Sequence, residues 1–270
     1  MDAATARVPA MTHALLGHSG FVGSLLKKQT RFDNLYRSTD IIEIHGREFD
    51  CIVCAAAPAQ KWLANKDPEA DHRVIDSLIG HISRVTCRTF ILVSTVDVYQ
   101  AALGVDEGTP PVENGLHAYG LNRLRLERFV QQRFDNHLVV RLPGLVGPGL
   151  RKNVIFDLLN DNNLSAIDSR GVFQFYPLVN LWFDIQAAVA AGLKLVHLTA
   201  EPISVKDVAL QGFNKAFEQE LVASPAVYDM RSRHAAIFGA SGAYQYTRRE
   251  SIQAIRAYAQ SECRAQGKTA

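Results

Sequence analysis

A chain of 270 residues can bury a substantial core, and 47% hydrophobic with 21% charged residues is the composition of a globular protein, not a disordered one. The formal charge of +2, with no long block of lysine or arginine, argues against nucleic-acid or membrane surfaces and for a small-molecule substrate. The stretch Met1–Met11 carries one arginine and no apolar core of signal-peptide length, and no apolar run approaches the roughly 18 to 20 residues of a membrane span, so a cytoplasmic location is expected.

The first apolar run, His13–Leu16, reads as a strand, and the turn Gly17-His18-Ser19-Gly20-Phe21-Val22-Gly23 leads into a helix predicted over Gly20–Gln29. A second strand is predicted at Asn34–Arg37. Asp50–Cys54, Phe90–Val93 and Leu138–Leu142 read as further strands, several too uniformly apolar to be half exposed, which implies a parallel sheet covered on both faces. Helices predicted over Asp67–Val85 and Ala118–Phe134 complete a β-α-β rhythm and point to a doubly wound α/β fold. After Pro148 the rhythm loosens into a short helix at Asn153–Leu159, a polar stretch at Asn160–Gly171 and the aromatic segment Val172–Pro177, an excursion out of the sheet. Asn180–Leu193 and Leu195–Leu198 restore a helix and a strand, and Ser204–Glu220 and Arg248–Ala259 read as helices.

Cys51 and Cys54 have a Cys-x-x-Cys spacing, but within a buried strand residues three apart point to opposite faces. With Cys87 and Cys263 far off in sequence, no metal site is expected.

Glycines 17, 20 and 23 between a strand and a helix suit a dinucleotide. The first permits a sharp turn, the second lets backbone approach a pyrophosphate, and the third lets helix and strand pack closely, while the helix N-terminus offers N–H groups to phosphate. Ser19, Phe21 and Val22 complete this candidate phosphate site. About 20 residues on, where NAD sites carry an acid for the ribose, the chain reads Tyr36-Arg37-Ser38-Thr39-Asp40. Arg37 and Ser38 suit a 2′-phosphate, so NADP(H) is the expected cofactor; NAD is the alternative, with Asp40 reaching the ribose.

Two further segments accompany the turn and the pair Tyr119/Arg123: Val93-Ser94-Thr95-Val96-Asp97-Val98-Tyr99 and Arg141-Leu142-Pro143-Gly144-Leu145-Val146-Gly147-Pro148-Gly149. With these four motifs in order, the chain resembles the extended short-chain dehydrogenase/reductase family of sugar-nucleotide epimerases, dehydratases and reductases. The resemblance covers residues 13 to 150 and extends more loosely to Val205. It implies a Rossmann-type doubly wound parallel sheet with a small C-terminal substrate lobe: residues 1–150 as the dinucleotide-binding domain, completed by 178–200, and 151–177 with 201–270 as the lobe. It also implies that Thr95 holds the substrate oxygen, that Tyr119 passes a proton to or from it, that Ala55 and Ala56 line the cofactor, and that Pro143 and Gly144 pass the nicotinamide. A homodimer through the Asp67–Val85 and Ala118–Phe134 helices is implied as well.

The chain departs from that family at Arg123, where a lysine is usual. Arginine keeps the charge, so Arg123 is expected as a catalytic residue that biases the Tyr119 phenol, but it is planar and essentially never deprotonated. At the positions of the dehydratase Asp-Glu pair stand Val96 and Asp97, which disfavours dehydration and leaves epimerisation or carbonyl reduction. Asp97 reads equally as a substrate contact or base and as a cap of the following turn. The segment Ala57–Asn65 after the third predicted strand reads as a loop that offers Lys61, Trp62 and Asn65 to a polar substrate, and Lys61 is a candidate for the cationic role that Arg123 does not fill. By analogy with the family's lobe, Asn153, Tyr176, Phe173, Phe175 and Trp182, then Arg231, Arg233, Tyr244 and Tyr246, are candidate substrate contacts. The expected function is NAD(P)-dependent oxidation, reduction or epimerisation of a hydroxyl or ketone on a sugar nucleotide or similar polar metabolite; the alternative is a non-catalytic NAD(P)-binding sensor or scaffold of the same fold.

Overall fold

The structure, a computed structural model, describes residues 12–262; Met1–Met11 and Cys263 lie outside the described residues. Six parallel strands form the central sheet: β1 (His13–Leu16), β2 (Asn34–Tyr36), β3 (Glu48–Cys54), β4 (Thr86–Thr95), β6 (His137–Leu142) and β10 (Leu195–His197), in the order β10-β6-β4-β3-β1-β2. The remaining strands, β5 (Leu103–Val105), β7 (Gly144–Val146), β8 (Val172–Phe173), β9 (Phe175–Pro177), β11 (Ile203–Ser204) and β12 (Asp229–Met230), pair in small two-stranded sheets.

The apolar runs are central strands because both sheet faces are covered. On one side, Ala14, Leu16, Ile52, Phe90 and Leu92 pack with Ile75, Leu78 and Ile82 of helix α3 (Pro68–Ile82) and with Leu126 and Val130 of α4 (Ala118–Arg133). On the other, Leu15, Val53, Ile91 and Val140 pack with Leu25 and Leu26 of α1 (Phe21–Gln29) and Ile185 and Ala188 of α6 (Leu181–Ala190). Cys54 belongs to the first layer and Cys51 lies against the second, as alternation along a strand requires. Burial pushes both thiols up to about 11, so they are protonated and unreactive at neutral pH.

Strand order reverses between β1 and β3: β2 lies outward on one side of β1, while β3, β4, β6 and β10 run the other way. In open α/β sheets, ligands sit in the crevice beyond the strand C-termini at such a reversal. A third cluster lies past that edge, where α5 (Val154–Asn160), β9, Ile203, Val208 and α8 (Arg248–Ser261) enclose Ile155, Leu158, Phe175 and Ile255.

The predicted helix at Ser204–Glu220 is corrected. Helical backbone covers α7 (Val205–Asp207) and a wide turn at Val208–Gly212, then stops, with Asn214 in the left-handed region at φ 52°. Conversely, Lys61–Lys66, expected as loop, is a short helix, α2.

Candidate active site

The shape of the turn at the strand reversal follows from three glycines. Gly17 has φ +85°, and a Cβ on it would lie 2.4 Å from the Ala55 carbonyl oxygen; a Cβ on Gly23 would lie 2.1 Å from the Gly17 carbonyl oxygen. Both therefore exclude any side chain. Gly20, the N-cap of α1, differs: a Cβ there would meet nothing closer than 3.5 Å, so its bareness leaves open, exposed space at the helix N-terminus. Hydrogen bonds from Gly17 N–H to the Tyr36 carbonyl (2.7 Å) and from Ala55 N–H to the Leu16 carbonyl (2.9 Å) bring the turn, the end of β2 and Ala55-Ala56 to one edge.

Arg37 and Ser38 are exposed at the end of β2. The Arg37 guanidinium lies 3.6 Å from Asp40, whose carboxylate also accepts the Arg37 N–H at 2.6 Å. On the opposite flank Pro143 is buried, and Gly144 opens β7 with its would-be Cβ 2.6 Å from the Gln174 carbonyl oxygen.

β4 carries Ser94 and Thr95 to the same edge, and α4 delivers Tyr119. The helix starts where it does because His117 caps it, its Nδ1 accepting the Gly120 N–H at 3.0 Å, and because Asn65 accepts the Tyr119 N–H at 3.0 Å. Gly120 allows the approach: a Cβ would lie 2.1 Å from the Asp97 carbonyl oxygen. Tyr119 is consequently buried at 8% exposure beside Thr95. Burial raises its pKa most strongly; Arg123 opposes this, Asp97 adds to it, and Thr95 and Lys61 lower it.

Arg123 lies against the Tyr119 ring. Its guanidinium carbon lies 4.2 Å from the centroid of the Tyr119 ring, stacked on the face. Nη1 donates to Asp71 of α3 at 2.6 Å and Nη2 to the Pro58 carbonyl, while Asn122 donates to the same Asp71 oxygen at 2.7 Å. The pair is interior, with Arg123 3% and Asp71 7% exposed. Arg123 Nε is a buried donor left without a partner, a group that favours any ligand oxygen able to meet it.

A second charged cluster adjoins Thr95. Lys61 Nζ donates to Asp97 Oδ1 at 2.7 Å and to the Tyr228 hydroxyl at 3.3 Å, and that hydroxyl donates to Asp97 Oδ1 at 3.3 Å. Asp97 Oδ2 accepts the Thr95 hydroxyl at 3.4 Å. Asp97 is thus not the cap of its turn; the Thr95 side chain is, accepting the Asp97 N–H at 3.1 Å. Trp62, next along α2, is 66% exposed.

Ser94 turns away from Tyr119 and donates to Glu127 at 2.5 Å. Fully buried Glu127 also receives Arg141 at 2.7 Å, and Arg141 continues to the Tyr99 hydroxyl at 2.7 Å, which lies 3.3 Å from His197 Nε2. Desolvation brings the His197 pKa down to about 4. This network ties the end of β4 to β6 and β10 and stiffens the wall carrying Thr95.

Among the proposed substrate contacts, Tyr176 is corrected: it is 0% exposed and its hydroxyl is spent on Asp184, which also accepts Tyr246 at 3.0 Å. Asn153 commits its side chain to capping α5, accepting Ile155 N–H at 3.0 Å, and to the Leu145 carbonyl at 2.9 Å. Trp182 packs edge-on against Phe32 at 5.8 Å, and Phe175 is core. Arg231 pairs with Asp229 and Arg233 with Asp106, and Tyr244 also bonds Asp229. Phe173 is brought to the site indirectly, stacked at 5.7 Å on Tyr228. Asn65, expected as a substrate contact, instead holds the Tyr119 N–H, and Tyr228 and Asp71 are not among the residues the sequence singles out. No local motif marks them, since each reaches the site across a long chain separation.

No family model matches the chain, and no curated protein matches it. Solved structures do match. A dTDP-4-dehydrorhamnose reductase from Bacillus anthracis in complex with NADP superposes with TM-score 0.73 at 15% identity, covering 93% of this chain and 100% of that one. A UDP-galactose 4-epimerase gives 0.69 at 18% identity over 93% and 98%, and RMD from Pseudomonas aeruginosa complexed with NADPH gives 0.66 at 17% over 93% and 99%. The chain shares the fold of these reductases and epimerases, a parallel central sheet with flanking helices. Arg123 is held in a buried ion pair with Asp71, and Lys61 pairs with Asp97, which accepts the Thr95 hydroxyl.

Proposed function

We propose that this protein is an NAD(P)-dependent oxidoreductase or epimerase acting on a hydroxyl or ketone of a sugar nucleotide or a similar polar metabolite. The observation that carries the proposal is the convergence of Tyr119 and Thr95 on the edge that also carries the glycine turn. Two features fit a dinucleotide: the open space at Gly20 beneath the α1 N-terminus, and the unpartnered Arg123 Nε beside the tyrosine. The Gly17–Gly23 turn would hold the pyrophosphate, Arg37 and Ser38 the 2′-phosphate of NADP, and Ala55, Ala56, Pro143 and Gly144 the nicotinamide end.

When bound, the nicotinamide supplies or takes a hydride. Thr95 positions the substrate oxygen, and Tyr119 gives it a proton in reduction or removes one in oxidation. Because burial holds the Tyr119 pKa above its ordinary value, the phenol is protonated at neutral pH and is suited to donate. Lys61, Trp62 and Asp97 are the substrate-side residues of this reading, with Trp62 exposed for stacking on a ring. Helices α3 and α4 pack side by side and leave Val74 and Leu121 exposed, which supports a homodimer through this face. Among the described residues no helix is long and apolar enough to cross a membrane.

The test is incubation with NADPH or NADH and a panel of nucleotide-linked hexoses and 4-ketohexoses, following both absorbance and products. Turnover of one of these, lost in Tyr119→Phe, supports the proposal. Tight cofactor binding without any product favours a non-catalytic binding protein, and absence of both turnover and dinucleotide affinity overturns the proposal.

A further inference from the structure

We infer that Lys61 and Asp97 form a proton-carrying pair that serves Tyr119 through Thr95, and that Arg123 stands outside this path as a structural cation. The inference rests on the catalytic reading of Tyr119 given above.

Arg123 is poorly placed and chemically unsuited to resupply a proton. Both terminal nitrogens are occupied, by Asp71 and by the Pro58 carbonyl, and the guanidinium lies against the ring face. A guanidinium also does not release a proton in the accessible pH range, whereas a lysine ammonium does. Its charge is compensated by a carboxylate that Asn122 further fixes.

The Lys61 cluster has the complementary properties. The two oxygens of Asp97 face different neighbours, Oδ1 toward Lys61 and Tyr228 and Oδ2 toward the Thr95 hydroxyl. The Lys61 side chain is 38% exposed and that of Asp97 18%, so the pair runs from solvent inward to the strand end where Tyr119 lies. The Thr95 to Asp97 separation of 3.4 Å is long for a hydroxyl donor, as catalytic hydrogen bonds often are before substrate binds. Phe173, stacked on Tyr228, walls the cluster on the lobe side.

The protons balance as follows in reduction. Tyr119 gives its proton to the substrate oxygen as hydride reaches the carbon. Asp97, a carboxylate ion-paired to Lys61, first takes the ammonium proton and turns its protonated oxygen toward Thr95; the Thr95 hydroxyl, turned from Asp97 to the phenolate, passes its own proton on as it receives that one, and the Lys61 amine is reprotonated from solvent. The net change is one solvent proton delivered to the substrate oxygen. Oxidation runs the same transfers in reverse. The groups acting on Tyr119 are Thr95 and Asp97 from the strand end, Lys61 from α2 and Arg123 from its own helix; His117 caps that helix, Asp71 of α3 faces the Arg123 side, and Tyr228 closes the Asp97 side.

Two readouts test this, one of them independent of turnover. In the cofactor-free protein, tyrosine labelled with carbon-13 at Cζ and assigned with Tyr119→Phe reports the Tyr119 titration directly. Lys61→Met is expected to raise the midpoint, because Asp97 then faces the phenol unbalanced, and Lys61→Arg to leave it near wild type. For turnover, Lys61→Met and Lys61→Arg are both expected to lose about tenfold or more, within the range of a lost proton-transfer group. Added methylamine should restore part of the activity of Lys61→Ala. An unmoved Tyr119 midpoint in Lys61→Met overturns the pair, and full turnover in Lys61→Arg overturns proton carriage. A wild-type protein that turns over no substrate counts against the proposed function instead, and the titration still decides whether Lys61 and Tyr119 are coupled.

Discussion

Arg123 and Asp71 make an ion pair whose partners are both almost wholly out of water, so removing one strands the other. Arg123→Met or Asp71→Asn should therefore cost about 3 to 5 kcal/mol in denaturant unfolding, and the double variant distinctly less than the sum of the two. Tyr119 sits beside this pair with its phenol pushed toward the neutral form by burial. The sign of the pH dependence follows. Reduction needs the protonated phenol, so its rate should hold through neutral pH and fall as pH passes the raised pKa; oxidation needs phenolate and should climb over the same range. Opposite slopes in the two directions, both absent in Tyr119→Phe, are the expected result. Tyr119 and Arg123 were marked as candidates by their spacing, and Thr95 by the family resemblance. The sequence did not reveal that Arg123 is consumed by Asp71, because that contact joins two helices 52 positions apart and leaves no local pattern.

At the level of elements, the glycine turn separates folding from binding. Gly23→Ala puts a methyl 2.1 Å from backbone and should lower the melting temperature sharply or prevent folding. Gly20→Ala meets nothing within 3.5 Å and should fold normally, yet weaken dinucleotide binding by filling the space at the helix N-terminus. Thermal melts paired with NADPH titration read both effects. The strands of the central sheet were evident from their apolar runs because both faces are buried, and α4 from its length. Ser204–Glu220 misled because its early residues have helical spacing, with Val205, Val208 and Ala209 entering the third core cluster. The chain then turns at Asn214 to bring Phe217 back to that cluster and Gln219 onto the carbonyls of Leu164 and Ser165. The aromatic segment was equally ambiguous: Phe173, Phe175 and Tyr176 are adjacent in sequence, but only Phe173 faces the candidate site, through Tyr228.

For the whole molecule, the sheet order places the ends of β1, β2, β3, β4 and β6 along one edge, so that Arg37, the glycine turn, Thr95 and Tyr119 share it. Arg37 is the exposed group suited to a 2′-phosphate, and Arg37→Ala should reduce NADPH affinity while leaving NADH affinity nearly unchanged, as binding titrations of both cofactors would measure. The similarity to sugar-nucleotide reductases and epimerases extends over 93% of the chain at 15% to 18% identity, so the shared property is the fold, and the chemistry must be decided at Tyr119. The most direct measurement is transfer of deuterium from NADPH labelled at nicotinamide C4, on the face that is transferred, to a nucleotide-linked 4-ketohexose, with the product examined by mass spectrometry. Label on the sugar carbon with wild-type protein, absent with Tyr119→Phe, is the expected result; tight NADPH binding with no label in any sugar of the panel would contradict it.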